Sequence, residues 1–157
     1  MMNKIQFLTA GESHGKGLLG IIEGIPAGLE ISEDYIESQL SRRQKGHGRG
    51  GRMKIENDCA EIYCGVRHGK TLGSPVGLIL PNKDWKNWTT KMSSDPVDET
   101  IKKVTLPRPG HADLAGVQKF DFDDIRNVLE RSSARETAMR VGLSSVCRKL
   151  LKELGIE

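Results

Sequence analysis

The sequence predicts an α+β fold across its 157 residues. Three observations carry that class. Short segments that alternate or run apolar lie between Gly and Pro turns, which is strand patterning. Two Ser-led segments, at Ser32 and Ser133, open stretches with apolar residues at helical spacing. Hydrophobic content is 36% with only 4% aromatics, so the core is lean, and burial against a partner subunit or further chain is expected.

Taken in order, Ile5–Thr9 reads as a strand that runs into Gly11-Glu12-Ser13-His14-Gly15. Leu18–Ile25 is nearly continuously apolar and suits a strand buried on both faces. Ser32 is a candidate N-cap, with Ile31 and Ile36 placed as a hydrophobic staple and Leu40 on the same face as Ile36. A helix of about three turns should therefore deliver Arg42 and Arg43 at its C-terminal end. Ala60, Ile62, Cys64 and Val66 alternate with Glu61, Tyr63 and Gly65, a strand with one buried face. Val76–Leu80 is a further strand candidate. Lys83–Lys103 is polar and interrupted by Asp95-Pro96, an excursion with at most one short helix. Ile125, Val128 and Leu129 have helical spacing within Asp124–Arg131. Ser133-Ala134-Arg135-Glu136 matches a capping box, so a fresh helix should begin near Ala134 with Met139, Leu143, Val146, Leu150 and Leu154 as its stripe. Gly142 and Ser145 should admit a close neighbour. The chain reaches Gly155-Ile156-Glu157 just after this long helix, an ending that reads as cut rather than finished.

Charge is concentrated in one stretch. Arg42 to Arg52 holds five Lys/Arg, four Gly and one His with no acid; without its five charges the net of +3 would be −2. Glycines let backbone N–H groups curl around an anion, and Arg forks grip carboxylates or phosphates bidentately. An RNA-binding arm is the alternative reading, but such arms usually repeat and interleave aromatics, and this stretch does neither. No apolar run approaches the length of a membrane span and the N-terminus lacks a signal core, so a soluble cytoplasmic protein is expected. Cys59, Cys64 and Cys147 lack metal-ligand spacing and read as structural thiols, and no metal site is expected.

Three further stretches carry candidate chemistry. His14, in a Gly-flanked turn at a strand end, is placed to give a proton to a leaving group, a structural hydrogen bond being the alternative. Pro107-Arg108-Pro109-Gly110-His111 is stiffened so that Arg108 and His111 stay close together, pre-organising a cation and a proton donor beside an anion. Arg131, Ser132, Ser133 and Arg135 straddle a helix start, where unpaired N–H groups favour negative charge. None of these stretches supplies a clustered pair of acids. The set suits a pocket that holds a polyanion and donates protons.

Five blocks, GESHGKGLLGIIEGIPAG at 11–28, RRQKGHGRGGRMKIEND at 42–58, GVRHGKTLGSPVGL at 65–78, PRPGHADLAG at 107–116 and ERSSARETAMRVG at 130–142, together resemble the chorismate synthase family. The resemblance covers residues 1–157, in order and at family spacing, and so implies the N-terminal part of one such domain. It implies a β-α-β sandwich, with helices between antiparallel sheets, assembled as a homotetramer. It implies a shikimate-pathway lyase that eliminates phosphate (anti-1,4) from 5-enolpyruvylshikimate 3-phosphate using reduced FMN. By the same resemblance His14 would protonate the departing phosphate and His111 the reduced flavin. Ser13, Arg43, Arg49, Arg108 and Arg135 would grip the substrate's anionic groups, and Arg131, Ser132 and Ser133 would contact FMN. NADPH would enter only in a bifunctional member that reduces its own flavin, a role linked to the basic loop. Nucleic acid and membrane are not expected as partners. The basic loop would close as a flap over the substrate, ordered only when anions are present. Family members run to more than twice this length and carry a C-terminal Arg-Asp motif not found in these residues, so these 157 residues alone are expected to be inactive.

Overall fold

The computed structural model describes residues 4–45, 58–98 and 100–156. Most of the basic stretch, including Arg49 and its expected flap behaviour, lies outside the described residues. Element order is β1 (Gln6–Gly11), β2 (Gly17–Glu23), α1 (Glu33–Gln44), β3 (Glu61–Cys64), β4 (Val66–Arg67), β5 (Lys70–Thr71), β6 (Val76–Pro81), a 3₁₀ turn (Lys83–Asn87), α2 (Asp113–Phe120), α3 (Arg126–Leu129) and α4 (Glu136–Glu153). Four strands form one antiparallel sheet in the order β1-β2-β6-β3, and β4 and β5 make a separate two-stranded ribbon. The class is α+β. Of the implied sandwich, the described residues supply one four-stranded sheet and the helices on one of its faces. No helix among them is long and apolar enough to cross a membrane.

Register decides what the sheet buries. Leu18, Gly20 and Ile22 of β2 pair with Leu80, Leu78 and Val76 of β6, and these residues turn toward the helices. There they meet Ile36 and Leu40 of α1 and Ala138, Met139, Leu143 and Val146 of α4, all in one buried cluster. Each Leu, Ile, Val or Met side chain among them, removed from water, contributes about 1.5–3 kcal/mol. Gly20 sets the approach of α4: a Cβ there would lie 2.4 Å from the Met139 sulfur. At Gly142 the nearest atom would be 3.6 Å away, so the residue that admits the close neighbour is on the strand, not on the helix. The long helix thus packs on the sheet and on α1 rather than standing alone.

Three sequence expectations change. β2 is covered on one face only, with Leu19 and Ile21 exposed beside Leu8, because no described element lies over that side of the sheet. A register shift between Ile62 and Cys64 bulges β3, and the extra residue turns Cys64 out to solvent instead of keeping it on the buried face. The capping box at Ser133 does not form. The Ser133 hydroxyl accepts from the Arg135 amide at 3.3 Å, while Glu136 is drawn away by the Thr9 hydroxyl at 2.7 Å and by the Arg140 guanidinium. Helix α4 therefore starts two residues later than the box predicts, and it stops before Leu154. At Ser32 the expectation holds: its hydroxyl accepts from the Tyr35 amide at 3.2 Å, and Ile31 and Ile36 are buried as the staple requires.

Candidate functional site

The turn after β1 carries Ser13 and His14, and two residues, Asn82 and Glu130, pin it. Asn82, at the end of β6, donates from Nδ2 to the carbonyls of Glu12 and Gly15 at 3.0 and 2.9 Å. The Ser13 amide donates to the Glu130 carbonyl at 2.9 Å. The His14 amide and His14 Nδ1 both meet the Glu130 carboxylate, at 2.9 and 2.8 Å to Oε2. Ser13 is buried, while the His14 side chain keeps about a quarter of its surface exposed. Its ring stacks on Trp88, with centroids 3.9 Å apart. Burial drives Glu130 toward its neutral form, but the hydrogen bonds and charge of His14, with Arg126 at 3.0 Å, outweigh it and hold the carboxyl below the ordinary range.

Asn82 also joins this turn to the segment before α4. Its Oδ1 accepts from Arg135 Nε at 3.0 Å. Arg135, itself buried, forms an ion pair with Asp58, and Asp58 reaches Arg43 Nη1 at 3.3 Å. Arg43 donates as well to the Ala134 carbonyl at 2.9 Å and to the Thr137 hydroxyl at 3.1 Å. The last turn of α1, the residue at 58 and the start of α4 therefore converge beside the His14 turn. Arg43 and Arg135 share one buried carboxylate, an arrangement that holds both guanidiniums in place and keeps the desolvated charge compensated.

His111 belongs to a second cluster, built within six residues. Asp113, fully buried at the first position of α2, accepts from the Arg108 amide and from Arg108 Nε, each at 3.0 Å. It also pairs with His111 Nδ1. Arg108 Nη2 lies 3.0 and 3.1 Å from the two ring nitrogens of His111. The Arg108 hydrogen bonds, working against burial, hold Asp113 well below the usual carboxylate range. Arg108 is raised in turn, chiefly by Asp113, and the charge of Glu130 adds to that. Helix α2 rests on α3 at Gly116, where a Cβ would lie 2.3 Å from Val128 Cγ1.

The helix start at 131–136 differs from expectation. The amides of Glu136, Thr137 and Ala138 are taken by the carbonyls of Ser133, Ala134 and Arg135, so the first three amides of α4 are already bonded. Arg131 holds the β1 edge through the Thr9 carbonyl and hydroxyl, both at 2.8 Å. Ser132 is exposed and Ser133 half-buried.

Asp58, Asn82, Asp113 and Glu130 were not singled out from the sequence, although every one of them organises a predicted site residue. Acids enter the site one at a time from separate stretches, which is why no paired-acid motif announces them. Asp113 alone had a local signal, two residues after His111. Among the described residues no group of three or more His, Cys, Asp or Glu gathers as a metal site. Two thiols are pushed above the ordinary thiol range, Cys59 chiefly by its hydrogen bond to Glu37 and Cys147 by burial.

A family model described as chorismate synthase matches residues 5–157. The chain is 62% identical over 156 residues to a chorismate synthase of Enterococcus faecalis, covering 98% of this chain and 40% of that protein. It is 62% identical over 154 residues to a chorismate synthase of Pelodictyon phaeoclathratiforme, covering 98% of this chain and 39% of that one. A solved chorismate synthase crystal structure superposes with a TM-score of 0.73 at 45% identity, covering 99% of this chain and 36% of its own. The chain spans about 40% of the length of the curated relatives it matches.

Proposed function

We propose a function on one premise: the chain belongs to the chorismate synthase family. It forms the N-terminal part of the site of a lyase that eliminates phosphate from 5-enolpyruvylshikimate 3-phosphate to give chorismate. The observation that carries this reading is the junction at Asn82. There the turn bearing Ser13 and His14 meets Arg135, and through Asp58 it meets Arg43, so donors for an anionic substrate surround a histidine with an open ring nitrogen.

In the anti-1,4 elimination the allylic C–O bond breaks with its electron pair leaving on phosphate, a proton is lost at the far carbon, and a second double bond forms. His14 gives a proton to the departing phosphate. Ser13, Arg43, Arg49, Arg108 and Arg135 hold the phosphate and carboxylates, guanidinium forks being suited to both. His111, tethered by Arg108 and Asp113, would keep the reduced flavin in its protonated form. An exposed hydroxyl, a half-buried hydroxyl and a partly exposed guanidinium form an uncharged-to-cationic set, each able to donate, that fits a phosphorylated flavin. Arg131, Ser132 and Ser133 would therefore hold reduced FMN. Held there, reduced FMN would lend electron density to the allylic system in a reaction with no net redox change. NADPH would be used only if the protein also reduces its flavin. A cytoplasmic homotetramer, with neither nucleic acid nor membrane as partner, completes the reading. The RNA-binding alternative rests on the basic stretch, and no contact among the described residues favours it.

Grafting tests the function. Residues 1–157 replace the matching segment of the Enterococcus faecalis relative, and chorismate is measured without oxygen, with substrate and reduced FMN. The graft is expected to form chorismate and residues 1–157 alone to form none. A folded, flavin-binding graft without product would overturn the reading.

A further inference from the structure

We propose that Glu130 is the positioning residue of His14, fixing its Nδ1–H tautomer so that Nε2 is the atom presented to the reacting group. The inference deepens the function proposed above and rests on it only for what Nε2 acts upon.

Four side chains close a ring of contacts. His14 Nδ1 meets both oxygens of Glu130, at 3.0 and 2.8 Å. The Glu130 Oε1 accepts from Arg126 Nη1 at 3.0 Å, across one helical turn. Arg126 lies 5.1 Å from the Trp88 ring centre, and Trp88 stacks on His14 with 25° between the ring planes. Each contact removes a different freedom of the imidazole. The tether to Glu130 fixes one edge of the ring, and the stack on Trp88 fixes its plane. What remains is a single direction for Nε2, which no described residue hydrogen-bonds.

A carboxylate accepts and cannot donate, so the nitrogen facing it must carry the hydrogen. Glu130 is 2% exposed, and burying a carboxylate costs several kcal/mol unless donors compensate it. A plain structural anchor would need only Arg126. Here the same carboxylate also takes the His14 amide at 2.9 Å, while the residue's own carbonyl takes the Ser13 amide at 2.9 Å. Both ends of Glu130 are thus committed to the histidine turn. The neutral ring keeps Nε2 as its basic atom, and the protonated ring carries its transferable hydrogen there, as a proton donor requires.

Nitrogen-15 spectra of the chain labelled at histidine test this directly, with the His14 signals assigned by their loss in His14→Ala. The neutral His14 ring is expected as the Nδ1–H tautomer, and Glu130→Gln should shift it toward the Nε2–H form. In the grafted enzyme, Glu130→Gln should lower kcat on the order of 100-fold with KM little changed, because orientation of a proton donor is lost rather than binding. A wild-type ring in the Nε2–H form would overturn the proposal even if Glu130→Gln failed to fold. A folded Glu130→Gln that altered neither tautomer nor kcat would overturn it too. A graft that makes no chorismate would sink the function instead, leaving the tautomer result to judge Glu130 alone.

Discussion

The two histidines are held by the same chemistry reached by opposite routes. Each has its Nδ1 against a buried carboxylate that also binds an arginine: Glu130 with Arg126 for His14, Asp113 with Arg108 for His111. His14 and Glu130 lie 116 residues apart in the chain, whereas His111 and Asp113 lie two apart. The first cluster exists only once the sheet and the 126–135 segment have come together. The second is a loop-to-helix motif that Pro107, Pro109 and the first turn of α2 preset locally. One centre is therefore a property of the whole fold and the other of a short stretch, and they should fail in different ways.

The largest effect concerns activity. In the grafted enzyme His14→Ala and His111→Ala should each lower turnover by about 10²–10⁴, the range for a positioned proton donor. His111→Ala should do so with flavin still bound. If one of them kept full activity, the two centres would not be partners in one reaction. Stability separates the routes next. Glu130→Ala strands the His14 turn and Arg126, and should cost about 3–5 kcal/mol in urea unfolding. Asp113→Ala leaves Arg108, which is half exposed and can turn to water, and should cost about 1–3 kcal/mol. Equal losses would erase the distinction between long-range and local construction.

Gly116→Ala probes the contact between them. Its methyl group would run into the stiff Val128 side chain, for about 1–3 kcal/mol, and should move the His111 ring signals while leaving those of His14 in place. Shifts of equal size at both rings would mean the clusters form one rigid unit. Trp88→Leu removes the stack together with the Arg126 contact and the Nε1 hydrogen bond to Asp84, the stack accounting for about 1 kcal/mol, and should broaden or shift the His14 signals while leaving those of His111 in place. The smallest effect at neutral pH is titration. Asp113 and Glu130 both ionise below their ordinary values in the folded chain, so the unfolded chain takes up protons first as the pH falls. Their contribution is complete above about pH 4–4.5 and is lost on further acidification. Asp113→Asn should flatten that loss, and a wild-type chain equally stable at neutral pH and in strong acid would contradict it.

The same division explains what could be read from the sequence. Helix α1 was legible because its cap and staple are contiguous signals, and His111 because its prolines and glycine surround it. Strand positions followed from apolar runs, but not which face would be covered, since that depends on what packs against each side. Helix α2 gave no signal: it has no side-chain cap, a central Gly116 and Asp113 as its buried residue, so tertiary contact rather than an apolar stripe holds it. Ser133 and Glu136 had the right spacing for a capping box, yet Thr9, far away in sequence, competes for the glutamate. Glu130 sat within a recognised block, and nothing local tied it to His14. Asp58 and Asn82 were invisible for the same reason.

The ion pair between Arg43 and Asp58 has a consequence in polymer terms. Its partners stand 15 residues apart along the chain, and Arg43 is fastened independently to the start of α4. The points where the intervening segment leaves and rejoins the fold are thus fixed by residues outside it. Holding two residues 15 apart costs loop-closure entropy that grows only as the logarithm of their separation, and the Arg43–Asp58 pair and the Arg43 bond to the Ala134 carbonyl work against it. The ends of the span stay tied to Arg135 and the His14 turn.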